Sequence, residues 1–255
     1  MKKIQIYIII GISLFIYSCK KDLSDKNNNS SYELNNPFNS DFLAKNLRKE
    51  HPRLVLNSEI DKVLRQKLNT DPVVMNFYSA IKSNAMTVMD EPYLERVKIG
   101  RRLLHISREM LYRVNMLGMV YHIEKDPQIL ERLNNEVLAV CNFSDWNPSH
   151  YLDVGEMTMA LAFALDWTAG DLPQMTIDKA TQAIIDKGIM PSYETDKRSN
   201  NWWIKSNNNW NQVCNGGMIA GSIAIAEINP ELAAKTIKRS LDGLPHALDE
   251  YRPDG

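Results

Sequence analysis

The sequence has few cysteines and almost no net charge. Its 255 residues include three cysteines, 30 lysine and arginine residues and 31 aspartate and glutamate residues, for a formal charge of −1. This balance provides no global basic field for nucleic acid or for an anionic membrane surface. A β-rich stretch and an exact internal repeat are also lacking. What is present is 44% hydrophobic residues, enough for one domain with a core or for two small ones.

The cysteines and histidines do not form a recognisable metal-binding pattern. Cys141 and Cys214 lie among apolar residues with helical spacing. A disulfide between them is possible outside the cytoplasm, but two buried free thiols are favoured. The five histidines are scattered singly, without metal-ligand spacing to any cysteine. We therefore predict no metal site and no cofactor.

The N-terminal segment predicts export. Lys2 and Lys3 precede an apolar run over residues 4–17, which is too short for a stable spanning helix and has the basic flank of a secretory signal. Residues 1–18 are therefore predicted to be a signal peptide. Ser18 followed by Cys19 resembles the lipobox of bacterial lipoproteins.

The lipobox resemblance implies that Cys19 is lipid-modified and becomes the mature N-terminus. Several acyl chains would give durable attachment to a membrane, because each buried methylene contributes roughly 0.8 kcal/mol. The expected location is the bacterial cell envelope, either the periplasm or the outer-membrane surface. The alternatives are a transmembrane anchor and an ordinary cleaved signal.

A polar segment follows the lipobox. Residues 22–41 include Asn27-Asn28-Asn29-Ser30-Ser31 and contain almost no aliphatic side chains. Such a segment cannot bury enough apolar surface to offset its ordering entropy. We predict a flexible tether over residues 19–50, with the folded domain over residues 51–255.

From Ser58 onward the apolar residues repeat with a helical period. Asn57 or Ser58 is predicted to cap one helix, and the pairs Asp71-Pro72 and Asp126-Pro127 to begin two others. A long helix is predicted between them, over residues 97–125.

Two kinds of helix alternate along the chain. Amphipathic segments at 97–125, 175–187 and 231–250 are interleaved with segments at 157–165 and 216–225 that are apolar on nearly every side. Helices of the second kind must be surrounded by protein. The alternation predicts an all-α fold, an incomplete (α/α) toroid of helical hairpins whose central cleft holds the site. Bundle and solenoid packings are the alternatives.

The candidate binding residues lie at two loop-to-helix junctions. Trp146 and His150 belong to the first junction, and Trp203 with Asn208-Asn209-Trp210 belongs to the second. A helix N-terminus favours a carboxylate or sulfate, and an indole stacks on the apolar side of a sugar ring. An acidic sugar satisfies both preferences. The alternative is that the asparagines cap helices while the tryptophans fill the core.

An ordered set of motifs resembles the N-terminal toroid of heparinase II/III-type polysaccharide lyases. The motifs are His51-Pro52-Arg53-Leu54, Asp145-Trp146-Asn147-Pro148, Asp166-Trp167, Asn208-Asn209-Trp210-Asn211 followed by Gly216-Gly217, and Tyr251-Arg252-Pro253-Asp254-Gly255. The likeness extends from about His51 to the last residue. It implies depolymerisation of uronic-acid polysaccharides, such as heparan sulfate, chondroitin or alginate, by β-elimination.

The resemblance also implies roles for individual residues. Asn209 falls where the family places the residue that neutralises the uronate carboxylate. Trp210 stands where several relatives have histidine. Asn208 and Trp146 would shape the sugar subsites, with Trp203 as a weaker candidate. Apart from the resemblance, the position of His150 at a helix entry indicates either contact with an anionic group of the ligand or a capping or loop role.

The family pattern continues beyond this chain. In the relatives, Pro-Asp-Gly introduces a segment with the catalytic tyrosine, and a β-sheet domain with a further histidine follows. This chain stops at Gly255, so the resemblance implies that the parent protein is a lyase while these residues alone are inactive. Tyr251 lies before the motif and is not assigned as the base.

Two other function classes remain open. One is a glycan-binding envelope lipoprotein that uses the same cleft without catalysis. The other is a glycoside hydrolase on a similar toroid, which needs two opposed carboxylates. Asp153 and Glu156 lie one helical turn apart, but acids in a first turn usually complement the helix dipole. In each case the expected partners are an acidic polysaccharide or oligosaccharide and, through the lipid anchor, a membrane.

Overall fold

The computed structural model describes residues 36–194 and 200–251. Over these residues the fold is all-α, as predicted, and the only β-type pairing between them is an isolated bridge of Ile99 with Arg102. The α-helices are α1 (Ser40–Asn46), α2 (Ser58–Lys67), α3 (Pro72–Asp90), α4 (Leu104–Glu124), α5 (Pro127–Cys141), α6 (Tyr151–Thr168), α7 (Gln174–Ala183), α8 (Asn209–Ala224), α9 (Pro230–Gly243) and α10 (Pro245–Leu248).

Local capping sets several of these helix starts. The side chains of Asn57, Asp71 and Asp126 accept hydrogen bonds from backbone N–H groups in the first turns of α2, α3 and α5. Such caps satisfy donors that have no partner within the helix. Proline at the first position of α3 and α5 is compatible with a helix start, because that N–H needs no intrahelical acceptor. These three predicted starts are confirmed.

Three helices, α4, α6 and α8, lie side by side and run in the same direction. Near the starts of α4 and α6, the backbone N–H of Leu103 donates to the carboxylate of Asp153 at 2.6 Å. Near the ends of the same two helices, Gly118 packs against Trp167. Likewise Gly155 packs on the backbone of Cys214, and further along Gly221 packs on Thr158. We call α4, α6 and α8 the inner helices.

Each inner helix is followed by a chain segment that returns beside it. Asn211 near the start of α8 donates to the carbonyl of Gly243 at the end of α9, 2.9 Å away. After α7, a π-helical segment over Ile184–Ile189 brings the carbonyl of Gly188 to the hydroxyl of Tyr151 at the start of α6. The fold is therefore a series of helical hairpins, and of its helices α6 contributes the largest share of the core among the described residues.

The long helix begins later than the sequence predicted. The expected start was residue 97, whereas α4 begins at Leu104. Gly100 has a positive φ of 60° within the turn that the Ile99–Arg102 bridge closes. The start of α4 is then fixed by Asp153, whose carboxylate accepts from the N–H of Leu103. A cap supplied by another helix is invisible to a local sequence pattern.

The folded part extends into the predicted tether. Helix α1 lies within the stretch expected to be flexible, and Leu43 on it is buried. Asn36 donates to Asp242, and Lys238 donates to the carbonyl of Asn36, so this segment is attached to α9. The prediction missed that Phe38, Phe42 and their neighbours form an apolar stripe within a mainly polar stretch. The signal peptide, Cys19 and residues 252–255 lie outside the described residues.

Both cysteines in the described part are free and buried, which confirms the predicted pair of buried thiols. Within the same part of the chain, no helix is long and apolar enough to cross a bilayer.

Candidate functional site

An aromatic cluster lies where α6 and α8 begin. The His150 ring meets Trp210 edge-on with ring centroids 4.6 Å apart, and Trp202 lies against Trp210 at 4.9 Å. Trp202 is 40% exposed and Trp210 is half-buried. We call these three rings the indole cluster. Its exposed aromatic surface suits the apolar side of a sugar ring.

Asn208 and Asn209 lie beside this cluster at the N-terminus of α8. Asn208 is the N-cap, and its side-chain oxygen accepts from the Trp210 N–H at 3.1 Å and from the Ser206 hydroxyl at 3.2 Å. Asn209 is exposed, and its side chain makes no hydrogen bond to any part of the chain that the structure describes. Asn208 therefore has a capping role, while the Asn209 amide is available to a ligand.

Asp153 fixes the orientation of His150. Its Oδ1 accepts from His150 Nδ1 at 2.7 Å, while its Oδ2 accepts from the side chain of Asn147 and the N–H of Leu103. Because a carboxylate only accepts, Nδ1 of His150 carries the hydrogen of this bond, and Nε2 takes no part in it. The ring is thus held at the entry of α6, next to Trp210.

The loop before His150 is held by a second acid. Asp145 accepts from Arg96 at 2.6 Å and from the N–H of Asn147 at 2.6 Å. Although burial raises the pKa of Asp145, the bonds from Arg96 and Asn147 lower it more, so its pKa is below the usual value. Asn147 has a positive φ of 61°, a conformation that asparagine tolerates. These hydrogen bonds hold the loop that leads to His150 in one conformation.

Trp146 and Trp203 lie in the core. Both side chains are fully buried, and their indole N–H groups donate to the carbonyls of Val140 and Asn200. Trp203 also stacks on the buried ring of Tyr151, with centroids 4.8 Å apart. An indole without exposed surface offers no face to a sugar, so both residues have the core-filling role that the sequence left open.

The structure gives two residues roles that the sequence did not assign to them. Trp202 rather than Trp203 carries the exposed indole, and Asp153 positions His150 rather than serving as half of a carboxylate pair. The spacing of Asp153, three residues after His150, is a signal that could have found the second role. No sequence pattern shows which of the two neighbouring tryptophans in the short 3₁₀ turn Trp202–Lys205 is exposed.

The sequence matches no protein-family model and no curated protein. The likeness to heparinase II/III-type lyases therefore stays a prediction from the residues. The geometry of the site combines exposed indole surface, an unbonded amide and an oriented imidazole at the starts of two parallel helices.

Proposed function

We propose that this chain is the substrate-binding part of a polysaccharide lyase that cleaves a uronic-acid polysaccharide by β-elimination. In this proposal the helical hairpins are part of an (α/α) toroid, and the indole cluster lies at the mouth of its cleft. The parallel inner helices support that arrangement, since it brings the starts of α6 and α8 to the same end of the fold.

The unbonded side chain of Asn209 is the observation that carries the proposal. Its amide lies one residue before Trp210, at the N-terminus of α8, where the first backbone N–H groups and the helix dipole favour a negative charge. An amide donor beside an exposed aromatic surface matches a sugar that carries a carboxylate. The buried Asn211, by contrast, uses its amide to donate to the carbonyls of Ile204 and Gly243.

The proposed chemistry assigns Asn209 to the carboxylate. Removing the C5 proton of a uronate places negative charge next to a group that is already negative. A hydrogen bond from the Asn209 amide lets charge delocalise onto the carboxylate, and such fixed donors contribute several kcal/mol in a site that excludes water. The electron pair then forms the C4–C5 double bond as the C4–O4 bond breaks. In this proposal a base outside the described residues takes the C5 proton, and the departing O4 takes up a proton and leaves as a hydroxyl group.

Glycan binding without catalysis is the second candidate. The indole cluster and the Asn209 amide would serve it equally well, because neither feature requires a base. A hydrolase is less well supported, since Asp153 is fully buried and both its oxygens accept hydrogen bonds from His150, Asn147 and Leu103. With Cys19 lipidated, either candidate would act at the bacterial cell envelope.

The test of Asn209 compares two ligands on the same protein. Isothermal titration would use a uronic-acid oligosaccharide and the same oligosaccharide with its carboxylates reduced to alcohols. We expect Asn209→Ala to weaken binding of the acidic ligand about tenfold or more, because a hydrogen bond to a charged group contributes roughly 1.5–3 kcal/mol. Binding of the reduced ligand should change little.

Asn84→Ala on the exposed side of α3 is the matched control, and it should alter neither affinity. Equal losses for both ligands in Asn209→Ala would reject the carboxylate role. Ultraviolet absorbance of an unsaturated product, followed in parallel, separates the lyase from the binding protein: binding without product would support the second candidate.

A further inference from the structure

A groove of about 520 Å³ runs along the inner helices. Helix α4 contributes Arg108 and Tyr112, α6 contributes Glu156, and α8 contributes Gln212. Gln212 lies one helical turn after Asn209, so the two side chains are neighbours along α8. The groove therefore begins next to the indole cluster, and its volume is in the range of small-molecule binding sites.

Glu156 has an unmet hydrogen-bonding capacity in this groove. Its Oε1 lies 3.3 Å from Arg108 Nε, while its Oε2 is buried and has no hydrogen-bond partner among the described residues. Burial raises the pKa of Glu156 above its usual value, with the charge of Asp153 adding to the rise and Arg108 opposing it. Because Oε2 is enclosed by protein, the part of this ion pair that a ligand in the groove can reach is Arg108, which Glu156 holds in place through Oε1.

Arg108 and Tyr112 provide accessible surface on the opposite wall. The Arg108 side chain is 63% exposed, and only its Nε is engaged, by Glu156, in the described part of the chain. Its two remaining nitrogens can form the paired hydrogen bonds that suit a carboxylate or sulfate. Tyr112 is 39% exposed, so its ring is accessible to a ligand.

We propose that this groove is a second sugar subsite, in which Arg108, held by Glu156, binds the acidic group of the sugar next to the one at the indole cluster, and the Tyr112 ring contacts that sugar. The inference rests on the proposed function. It specifies the ligand further, as an oligosaccharide with acidic groups on successive sugars that crosses from Asn209 over Gln212 toward Tyr112. A ligand confined to the indole cluster would leave Arg108 without a role.

The length of the ligand tests the subsite. Isothermal titration of the full chain would use a uronic-acid disaccharide and the corresponding tetrasaccharide. We expect the tetrasaccharide to bind about tenfold more tightly, and expect Arg108→Ala and Glu156→Ala to remove that advantage while disaccharide binding is preserved. Glu156→Gln should keep most of the advantage, because the amide oxygen can still accept the hydrogen bond from Arg108 Nε.

Lys62→Ala on α2 changes the net charge as Arg108→Ala does but lies outside the groove, so it should preserve the tetrasaccharide advantage. Equal affinity of the wild type for the two ligands would reject the subsite and leave the indole-cluster proposal standing. An unaltered advantage in Arg108→Ala would reject it as well. Failure of both ligands to bind would overturn the proposed function together with the subsite.

Discussion

A buried carboxylate between two arginines joins three elements of the fold. Glu136 on α5 is fully buried and accepts from Arg113 on α4 at 2.8 Å and from Arg132 at 2.5 Å. Arg113 and Arg132 also donate to carbonyls in the segment after α3, at Pro92 and Glu91. Burial lowers the pKa of Arg113, but its hydrogen bonds to Glu109 and Glu136 raise that pKa by more. The pKa of Arg113 is therefore above its usual value.

Removing the central acid should therefore be costly. We expect Glu136→Ala to lower the free energy of unfolding by about 3–5 kcal/mol, because it leaves two buried arginines without their shared partner. Chemical denaturation followed by circular dichroism measures the change. Glu131→Ala, an exposed position on the same helix, should stay within about 0.5 kcal/mol of the wild type. Similar values for the two variants would show that the arginines find other partners.

The residue scale also shows where sequence reasoning about the site was insufficient. The two junctions could be located from the sequence, because asparagine and tryptophan runs before a helix are local features. Which tryptophan is exposed depends on the packing of Tyr151 against Trp203. These two residues are far apart in sequence, and no local pattern links them.

At the scale of elements, glycine sets the distance between α6 and α8. A Cβ atom built on Gly217 would lie 2.2 Å from the carbonyl oxygen of Gly155, a distance that no real contact allows. Only glycine permits this approach of two helix backbones. The neighbouring Gly216 has room for a methyl group, since its Cβ would lie 3.6 Å from the terminal methyl of Met159.

The two glycines form a matched pair of substitutions. Gly217→Ala should lower the melting temperature and cost about 1–3 kcal/mol, because the inner helices must move apart to accept a methyl group. Gly216→Ala should be neutral or stabilise by up to about 1 kcal/mol, through the higher helix propensity of alanine. Thermal unfolding of both variants measures the difference. Equal effects would contradict the close contact with Gly155.

At the scale of the whole molecule, the two thiols report on the integrity of the core. Cys214 is fully buried between α8 and α6, and Cys141 is nearly so at the end of α5. Burial raises the pKa of the Cys141 thiol to about 12 and that of Cys214 well above its usual value. Since the thiolate is the reactive form, both groups should be inert while the hairpins stay packed.

Thiol labelling therefore measures opening of the fold. In a Cys19→Ser variant at pH 8, we expect negligible modification of Cys141 and Cys214 without denaturant. As urea is added, Cys214 should become labelled in step with the loss of helical circular dichroism, because its exposure requires separation of α6 and α8. Rapid labelling of Cys214 under native conditions would show that these helices separate locally.

The sequence by itself determined the helical class and the starts of α2, α3 and α5. The side chains of Asn57, Asp71 and Asp126 cap helices within two or three residues of their own positions, and the apolar period marks the buried side of amphipathic helices such as α5 and α9. Such interactions are local, so they can be recognised along the chain. Helix α1 was missed because the stretch before residue 51 is mainly polar, and the burial of Leu43 becomes visible only when the segment packs in the folded chain.

Only the tertiary structure decided how the site is assembled. The carboxylate of Asp153 caps α4 through Leu103, fifty residues earlier, and at the same time orients His150 beside Trp210 on a third helix. The parallel packing that makes this possible depends on the approach of Gly155 and Gly217. These contacts join residues that are remote in sequence, and their geometry follows from the simultaneous packing of several helices rather than from the pattern of any one of them.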